Sequence, residues 1–434
     1  MDSDGWTASD ADITQRSSGL ASLSSKSSDE QTGTTVKGNG LWLAALAVVV
    51  GFGSTLAVAV SAEASTPAVD CTASNRSCPE VTIAGDSPAT LADGRPSPVH
   101  GYADPALRKD PTRDRIWTAY SWPRLTSGAQ GRAVTVDNHL AHSDDGGATW
   151  TFDRPMWTSS AEVDPVTGRP GFVNNEVVSL EAAKTVDAAT WYSVRQRYDT
   201  AGGSKPDLRT FVLHVATAPS PTQLADASEQ VLGGGLTSPK VATDVNLSSL
   251  SPELKGCVFQ DPALHLQHDQ LFLAAQCSLY TSTGEDFDHE LIAVFATRPQ
   301  GEAKTWSWRY VGKFGTHTDA VALGGQHLQQ TDLETSRDGK LLAIVSPGGK
   351  GTGVLGAHIG CRALELNSLD PPRLARDSKH HPKVVARVQS SDSKADGPGA
   401  CGYDPASSTG IVIMRRLLGN GQLVGSLRAS GLRP

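Results

Sequence analysis

The sequence feature that most constrains the fold is a repeated unit in which an acidic residue precedes a turn and then a short apolar strand. The acidic residues of successive units are Asp104, Glu176, Asp261, Asp332 and Asp404. The intervals between them are 72, 85, 71 and 72 residues. A regular period of this size, built from strands, predicts radially arranged units such as the blades of a propeller.

The length of the repeat also predicts the number of blades. The segment 81–434 has 354 residues, and 354 divided by five is about 71, so five units fill it. Because only 30 residues follow Asp404, the strand around residues 81–83 is expected to complete the last blade and close the ring. We therefore predict an all-β fold with a five-bladed β-propeller at 81–434. A sixth blade in the long interval before Asp261 remains an alternative.

The first 80 residues have a different composition. Residues 1–40 contain few large apolar side chains, which predicts a disordered tail. Residues 41–62 carry no charge and are long enough to cross a bilayer, and lysines precede them, which predicts one transmembrane helix with the C-terminal domain outside. A late signal segment, and hence a secreted protein, is the alternative. Residues 63–80 are predicted to be a linker.

The charge balance excludes one class of partner. The net charge is −8 and the pI is about 5.8, and no basic stripe appears in the sequence. A nucleic-acid-binding protein normally needs such a stripe to neutralise phosphates. Nucleic acid is therefore not an expected partner, and contact with a membrane is expected only through residues 41–62.

All cysteines lie after the apolar run, and their number is even. The six are Cys71, Cys78, Cys257, Cys277, Cys361 and Cys401. In an oxidising compartment this count predicts three disulfides, for which fifteen connectivities exist. The most local one pairs the first with the second, the third with the fourth and the fifth with the sixth. No spacing matches a zinc site, so no cofactor is predicted, and the sequence does not decide whether Ca²⁺ occupies the channel.

One short segment predicts a compact turn between two antiparallel strands. Its defining residues are Ser143, Asp145, Gly147, Thr149 and Trp150, in the pattern S-x-D-x-G-x-T-W. The aspartate folds back on nearby backbone N–H groups, glycine supplies positive φ, and the last two residues favour a strand. This pattern resembles the Asp-box of sialidases and other bacterial-neuraminidase-repeat proteins, which implies a structural role on the rim of a propeller.

The sialidase resemblance also implies an arginine triad that binds the substrate carboxylate. The strand-borne candidates are Arg195, Arg197, Arg362 and Arg415. Of these, Arg195 is predicted to contact substrate. The Arg-Ile-Pro motif of that family has only the segment 115–117 as its counterpart, where tryptophan replaces the proline.

The acidic repeat positions are the candidates for chemistry. If each one starts an innermost strand, the carboxyl groups surround the channel mouth, where mutual repulsion makes some of them acids and others bases. Glycoside hydrolysis requires such a pair. The structural alternative is that each aspartate only caps a turn. We predict that Glu176, Asp332 and Asp404 contact substrate, together with Arg195.

A second resemblance implies individual roles. Five-bladed arabinanase- and xylosidase-type glycosidases carry a catalytic base in an Ala-Asp-Pro segment of the first blade, as residues 103–105 do here. By this resemblance Asp104 is the base, Glu334 is the acid and Asp261 orients and tunes them. The sequence thus predicts a glycoside hydrolase acting on a glycan or glycoprotein. The alternative is a non-catalytic propeller that binds a glycan or a protein.

Overall fold

The computed structural model describes residues 66–434 apart from 129–130, 187, 202–205, 283, 350–356, 392–396 and 420–421. The predicted disordered tail at 1–40 and the predicted membrane segment at 41–62 lie outside these residues. Within the described part of the chain, no helix is both long and apolar enough to cross a membrane. The predicted single-pass topology is therefore not supported by the described residues.

The described residues are almost entirely β-structure. In the first half of the chain the strands are β1 (Ala68–Asp70), β2 (Ile83–Ala84), β3 (Val99–Gly101), β4 (Ala103–Lys109), β5 (Ile116–Gly128), β6 (Gly131–Ser143), β7 (Trp150–Trp157), β8 (Ser160–Val163), β9 (Pro170–Lys184), β10 (Ala189–Ala201), β11 (Val212–Ala218), β12 (Glu229–Gly233) and β13 (Val245–Asn246). In the second half they are β14 (Val258–Gln267), β15 (Gln270–Ser278), β16 (Tyr280–Thr281), β17 (Gly284–Glu285), β18 (Leu291–Thr297), β19 (Arg309–Phe314), β20 (His327–Thr335), β21 (Leu341–Gly349), β22 (Ala357–His358), β23 (Cys361–Leu369), β24 (Pro372–Leu374), β25 (Val384–Gln389), β26 (Gly399–Gly402), β27 (Val412–Gly419) and β28 (Gln422–Ala429).

Among the described residues, helices are few and short. One α-helix, α1, spans His317–Ala322. The 3₁₀ segments are Leu208–Thr210, Pro221–Asp226, Leu247–Leu250, Pro252–Leu254, Phe287–His289 and Ala303–Thr305. All of them connect strands, which confirms the all-β prediction.

The described strands form six sheets, of which five are blades and the sixth is the two-stranded hairpin β16-β17. From the axis outward the main strands are β4-β5-β6-β7-β2 in blade I, β9-β10-β11-β12-β13 in blade II, β14-β15-β18-β19 in blade III, β20-β21-β23-β25-β1 in blade IV and β26-β27-β28-β3 in blade V. The innermost strands contact one another in a closed ring, in the order β4, β9, β14, β20, β26 and back to β4. The five-bladed propeller is confirmed, and the described residues contain no sixth blade.

The N-terminal part of the propeller completes three blades. Residues 99–101 pair in parallel with the outer strand of blade V, and Val81 donates a backbone hydrogen bond to Leu427 of the same strand. Residues 83–84 then pair with blade I, and residues 68–70, within the predicted linker, pair with the edge of blade IV. The ring is therefore closed by segments from both ends of the domain.

Side chains that point alternately to the two faces of each strand fill the gaps between blades. In β15, Leu271 and Leu273 pack in the cluster shared with blade II, whereas Phe272 and Ala274 pack in the cluster shared with blade IV. Successive side chains of a strand point to opposite faces, so one apolar strand supplies two interfaces. Five such clusters occupy the five gaps between neighbouring blades.

The three disulfides have the most local connectivity. They are Cys71–Cys78, Cys257–Cys277 and Cys361–Cys401. All six sulfur-bearing residues are buried. The prediction of three disulfides is confirmed, and it fits an extracellular protein.

The segment 143–150 joins β6 to β7 at the end of blade I away from Asp104. The Asp145 carboxylate accepts hydrogen bonds from the backbone N–H and the hydroxyl of Thr149, at 2.9 and 2.6 Å, and from the Ser143 hydroxyl at 2.7 Å. The Trp150 ring is buried, and its Nε1 donates to the carbonyl of Gly147. The Gly146 carbonyl also accepts the N–H of Ser408, so the turn joins blade I to blade V and lies far from the inner-strand acids of the mouth.

Candidate functional site

Each inner strand carries a bulge, which lies near the strand start except in β9, and the bulge residue has left-handed φ without being glycine. These bulge positions are Asp104, Val177, Asp261, Gln330 and Ala400, with φ between 46° and 50°. Such a conformation costs on the order of 1–3 kcal/mol per residue and persists only where the surroundings enforce it. The recurrence identifies the structurally equivalent residues of the five blades.

This equivalence corrects the register of the acidic repeat. Asp104 and Asp261 are equivalent, as predicted. Glu176 precedes the bulge position of blade II by one residue, whereas Asp332 and Asp404 follow those of blades IV and V by two and four residues. At the end of the axis where the inner strands begin, called the mouth below, only three of the five predicted carboxyl groups therefore meet.

Asp104, Glu176 and Asp261 form what we call the mouth cluster. Gln330 connects two of its members, because its Nε2 donates to Asp104 Oδ1 at 2.8 Å and its backbone N–H donates to Asp261 Oδ2 at 3.3 Å. The hydroxyl of Tyr198 donates to Glu176 Oε2 at 2.8 Å. One glutamine thus lies within hydrogen-bond distance of two carboxyl groups from different blades.

The mouth cluster has unusual proton affinities. Burial raises the pKa of Asp261 to about 8, and the negative charges of Asp104 and Glu176 add to the effect. Burial likewise raises the pKa of Glu176 to about 7, with Asp104 adding and Tyr198 opposing. These carboxyl groups therefore hold protons in a pH range where an exposed carboxyl group is ionised.

More neighbouring groups favour the charged form of Asp104 than favour the charged form of Asp261. Burial raises its pKa, but hydrogen bonds from Ser121 and Gln330 and the positive charge of Arg416 lower it. Asp261 receives only the longer backbone hydrogen bond of Gln330. The mouth cluster therefore contains one carboxyl group suited to ionise first and one suited to keep its proton.

Four residues beyond the bulge positions, the inner strands carry a second group of polar residues, called the buried ring below. It consists of Arg108, Glu181, His265, Glu334 and Asp404. Four residues of a strand span about 13 Å, so the buried ring lies well below the mouth cluster. All of its members are buried.

Glu334 belongs to the buried ring and does not join Asp104 and Asp261. Its carboxylate forms an ion pair with the Arg108 guanidinium, which also donates to the carbonyl of Leu180 at 3.0 Å and lies 3.6 Å from Glu181. The structure thus brings together two of the three predicted catalytic residues and separates the third. The reason is that Glu334 follows its bulge position by four residues, whereas Asp104 and Asp261 occupy theirs.

Asp332 and Asp404, predicted to contact substrate, bind the backbone of neighbouring blades. Asp332 Oδ2 accepts the N–H of Tyr403, and Asp404 Oδ2 accepts the N–H of Lys109, at 2.9 and 2.7 Å. Both carboxyl groups are buried. In this structure they fasten one inner strand to the next, which differs from the predicted role.

Arg195 is also engaged away from the mouth cluster. Its guanidinium pairs with Glu229, donates to Asn175 Oδ1 at 3.1 Å and lies over the Trp157 ring at 4.6 Å. His214 Nδ1 contacts the same Glu229 carboxylate at 2.6 Å. These contacts use the donors that a substrate carboxylate would need.

Sequence reasoning missed Gln330, Tyr198 and Arg416. A buried side chain at the same position of each inner strand is the sequence signal that would have identified the equivalent residues of the five blades. Three positions after each bulge the side chain is buried in the core, as Leu107, Leu180, Leu264, Leu333 and Tyr403. Counting back three residues from this buried position identifies Gln330 as the bulge residue of blade IV, although it is not acidic.

The space beneath the mouth is small. A cavity of about 20 Å³ is lined by residues that include Asp104, Val177, Pro262, Gln330 and Ala400. This volume is about that of one water molecule. In the described ranges of the chain, no group of three or more His, Cys, Asp or Glu residues has the arrangement of a metal site.

No family model and no curated protein matches the sequence. Among solved structures, the chain is similar to a protein of the GH130 family of mannoside phosphorylases, which contains glycoside hydrolases that target β-1,2 mannosidic linkages in Candida mannan. The identity is 10%, the TM-score is 0.41, and the match covers 84% of this chain and 94% of that one.

Two arabinanases show comparable similarity. The native arabinanase Arb43A of Bacillus subtilis is 13% identical with a TM-score of 0.39, and the match covers 76% of this chain and 95% of that one. The α-L-arabinanase of Penicillium chrysogenum complexed with arabinobiose is 12% identical with a TM-score of 0.36, with 75% and 80% covered. At these TM-scores the similarity carries no conclusion about the function of this chain, and membership of the sialidase family is not shown.

Proposed function

We propose that this protein is a glycoside hydrolase in which Asp261 is the general acid and Asp104 is the general base or nucleophile. The observation that carries the proposal is the pair of buried carboxyl groups at the mouth, contacted by one glutamine and surrounded by unequal numbers of hydrogen-bond donors. Cleavage of a glycosidic bond requires one protonated and one ionised carboxyl group on opposite sides of that bond.

The protonation states expected of the carboxyl groups support these roles. With a pKa of about 8, Asp261 keeps its proton at neutral pH and donates it to the leaving glycosidic oxygen. Asp104, which accepts hydrogen bonds from Ser121 and Gln330, either removes a proton from the attacking water or attacks the sugar directly. Glu176, held by Tyr198, adds negative charge that helps Asp261 keep its proton.

The test is turnover of a panel of fluorogenic glycosides that includes a sialoside, an arabinoside and a xyloside. Wild-type protein is compared with Asp261→Asn and Asp104→Asn, which are expected to lose activity by at least about 10²–10⁴-fold, the usual contribution of a general acid or base. Glu334→Gln, assayed below its unfolding temperature, is the matched control and is expected to retain turnover. Turnover lost in Glu334→Gln and kept in Asp261→Asn would overturn the assignment.

A non-catalytic propeller that binds a glycan or a protein is the second candidate. The small cavity beneath the mouth and the amide of Gln330, which cannot titrate, are the observations that favour it. The same panel distinguishes the two candidates. No turnover of any glycoside by folded wild-type protein, combined with retention on a glycan array, would establish the binding protein.

A further inference from the structure

The bulge position of blade IV carries the amide Gln330 where blades I and III carry Asp104 and Asp261. The bulge position of blade V carries the small Ala400, which lines the same cavity as Gln330. The Gln330 side chain reaches across this position from blade IV to Asp104 of blade I. The contact from Gln330 Nε2 to Asp104 Oδ1 spans 226 residues of sequence.

The backbone conformation of Gln330 makes the double contact possible. Its φ is 49°, in a region that side-chain-bearing residues rarely adopt. In this conformation its own N–H points to the Asp261 carboxyl group while its side chain extends to Asp104. The side-chain contact is short and the backbone contact is longer, at 2.8 and 3.3 Å.

We propose that Gln330 is a positioning residue that holds the Asp104 and Asp261 carboxyl groups as a pair and assigns the base role to Asp104 and the acid role to Asp261. This inference rests on the proposed function. The physical reason is that an amide N–H donates to a carboxylate at every pH and stabilises its charged form, most strongly where the hydrogen bond is short. Asp104 receives the short bond and Asp261 the long one.

The other charged or titratable groups that face this pair are few. Glu176 and Tyr198 face it from blade II, Glu285 faces Asp261 from the hairpin of blade III, and Arg416 faces Asp104 from blade V. Asp332 of blade IV lines the same cavity as Asp104, and its carboxyl group accepts the backbone N–H of Tyr403. Arg416 and the short hydrogen bond of Gln330 both act on Asp104, and neither Glu176 nor Glu285 stabilises a charged Asp261. Removing the Gln330 amide should therefore change Asp104 more than Asp261.

The test compares the wild-type full chain with Gln330→Met, which keeps the length of the side chain and loses its donor. A second variant, Gln330→Asn, tolerates positive φ but is one methylene too short to reach Asp104. Gln329→Met is the matched control, because the Gln329 side chain contacts His358 and not the carboxyl pair. The readout is an NMR titration of ¹³C-labelled aspartate carboxyl groups, with signals assigned from Asp104→Asn and Asp261→Asn.

We expect the titration midpoint of Asp104 to rise by about one pH unit in both Gln330 variants, the effect of one hydrogen bond to a charged group, while Asp261 moves by less and the control does not change. Where turnover is measurable, the acidic limb of kcat/KM should move by the same amount with little change in KM. An unchanged Asp104 midpoint in folded Gln330 variants, or equal shifts of both aspartates, overturns the inference.

The two failures are distinguishable. If the proposed hydrolase activity is absent, no glycoside is turned over by the wild-type protein, but the titration still reports whether Gln330 controls Asp104. If only the positioning role is absent, glycosides are turned over and the Gln330 variants keep the wild-type pH profile and titration midpoints.

Discussion

Relative to the wild type, the Asp261→Asn variant should have a free energy of unfolding that becomes increasingly larger as the pH rises. The same replacement should remove the proposed activity. The replacement keeps the size and shape of the side chain, and its carbonyl oxygen can still accept the backbone N–H of Gln330. What it removes is a buried carboxyl group that must either keep a proton or ionise in an unfavourable environment. Active-site carboxyl groups commonly lower the stability of the fold in this way.

The magnitude follows from the difference in proton affinity between the folded and unfolded chain. The pKa of Asp261 is about 8 in the fold, against an ordinary value of 3.8. Between these two pH values the folded state holds a proton that the unfolded state has lost, so the wild-type stability falls as the pH rises. Each pH unit corresponds to about 1.4 kcal/mol, so the advantage of the variant grows by on the order of 4 kcal/mol from pH 5 to pH 8. Above pH 8 it levels off.

The measurement is the free energy of unfolding by urea for both proteins at pH 5, 6.5, 8 and 9. Distant groups titrate equally in both proteins, so the difference between the two curves reports Asp261 together with its electrostatic coupling to Asp104 and Glu176. Asp226→Asn, at a side chain that is 73% exposed, is the control. The reasoning would be refuted if the difference in free energy of unfolding between Asp261→Asn and wild type stayed constant with pH or shrank from pH 5 to pH 8.

Further predictions concern activity, the buried ring, the turn and a disulfide. If Asp261 is the acid, kcat/KM falls above pH 8 as its proton is lost, and a pH profile that stays flat to pH 10 contradicts this role. Glu334→Gln removes the shorter of the two ion pairs of the buried Arg108 guanidinium and leaves Glu181 at 3.6 Å, so it should lower the free energy of unfolding in urea titrations by less than the roughly 3–5 kcal/mol that a wholly unpaired buried charge costs. Trp150→Ala empties a buried site and should cost about 3–5 kcal/mol, with turnover of the folded variant unchanged in the glycoside panel. Replacing Cys361 and Cys401 by alanine opens a 40-residue loop and should cost about 4 kcal/mol, which thermal unfolding with and without reductant checks.

Local sequence was sufficient for the architecture. Apolar strands separated by turns, repeating about every 71 residues, predicted an all-β chain of five blades, and the structure has five. An even number of cysteines after residue 65 predicted three disulfides but left their connectivity open, and the observed pairs are the most local ones. These features are predictable because the strand period and short loop closures depend on residues that are near in sequence.

The composition of the site depended on contacts that sequence spacing does not encode. Glu334 and Asp261 each precede a turn and an apolar strand in the sequence. Glu334 nevertheless pairs with Arg108, whereas Asp261 lies at the mouth. The difference is an offset of a few residues relative to a bulge, and a bulge changes which residues of neighbouring strands lie level. Gln330 had no acidic signature and was missed for that reason.

The sequence by itself thus determined the class of fold, favoured five blades over six and predicted three disulfides of open connectivity, because periodicity and turn chemistry act over short stretches of chain. Only the tertiary structure decided that Asp104, Glu176 and Asp261 meet, that the Asp332 carboxyl group binds the backbone of blade V, and that Glu334 and Asp404 lie in the buried ring. Five inner strands from distant parts of the chain must be set side by side around one axis before their side chains acquire neighbours. The proton affinities of the mouth cluster, and hence any chemistry there, follow from that burial and those neighbours.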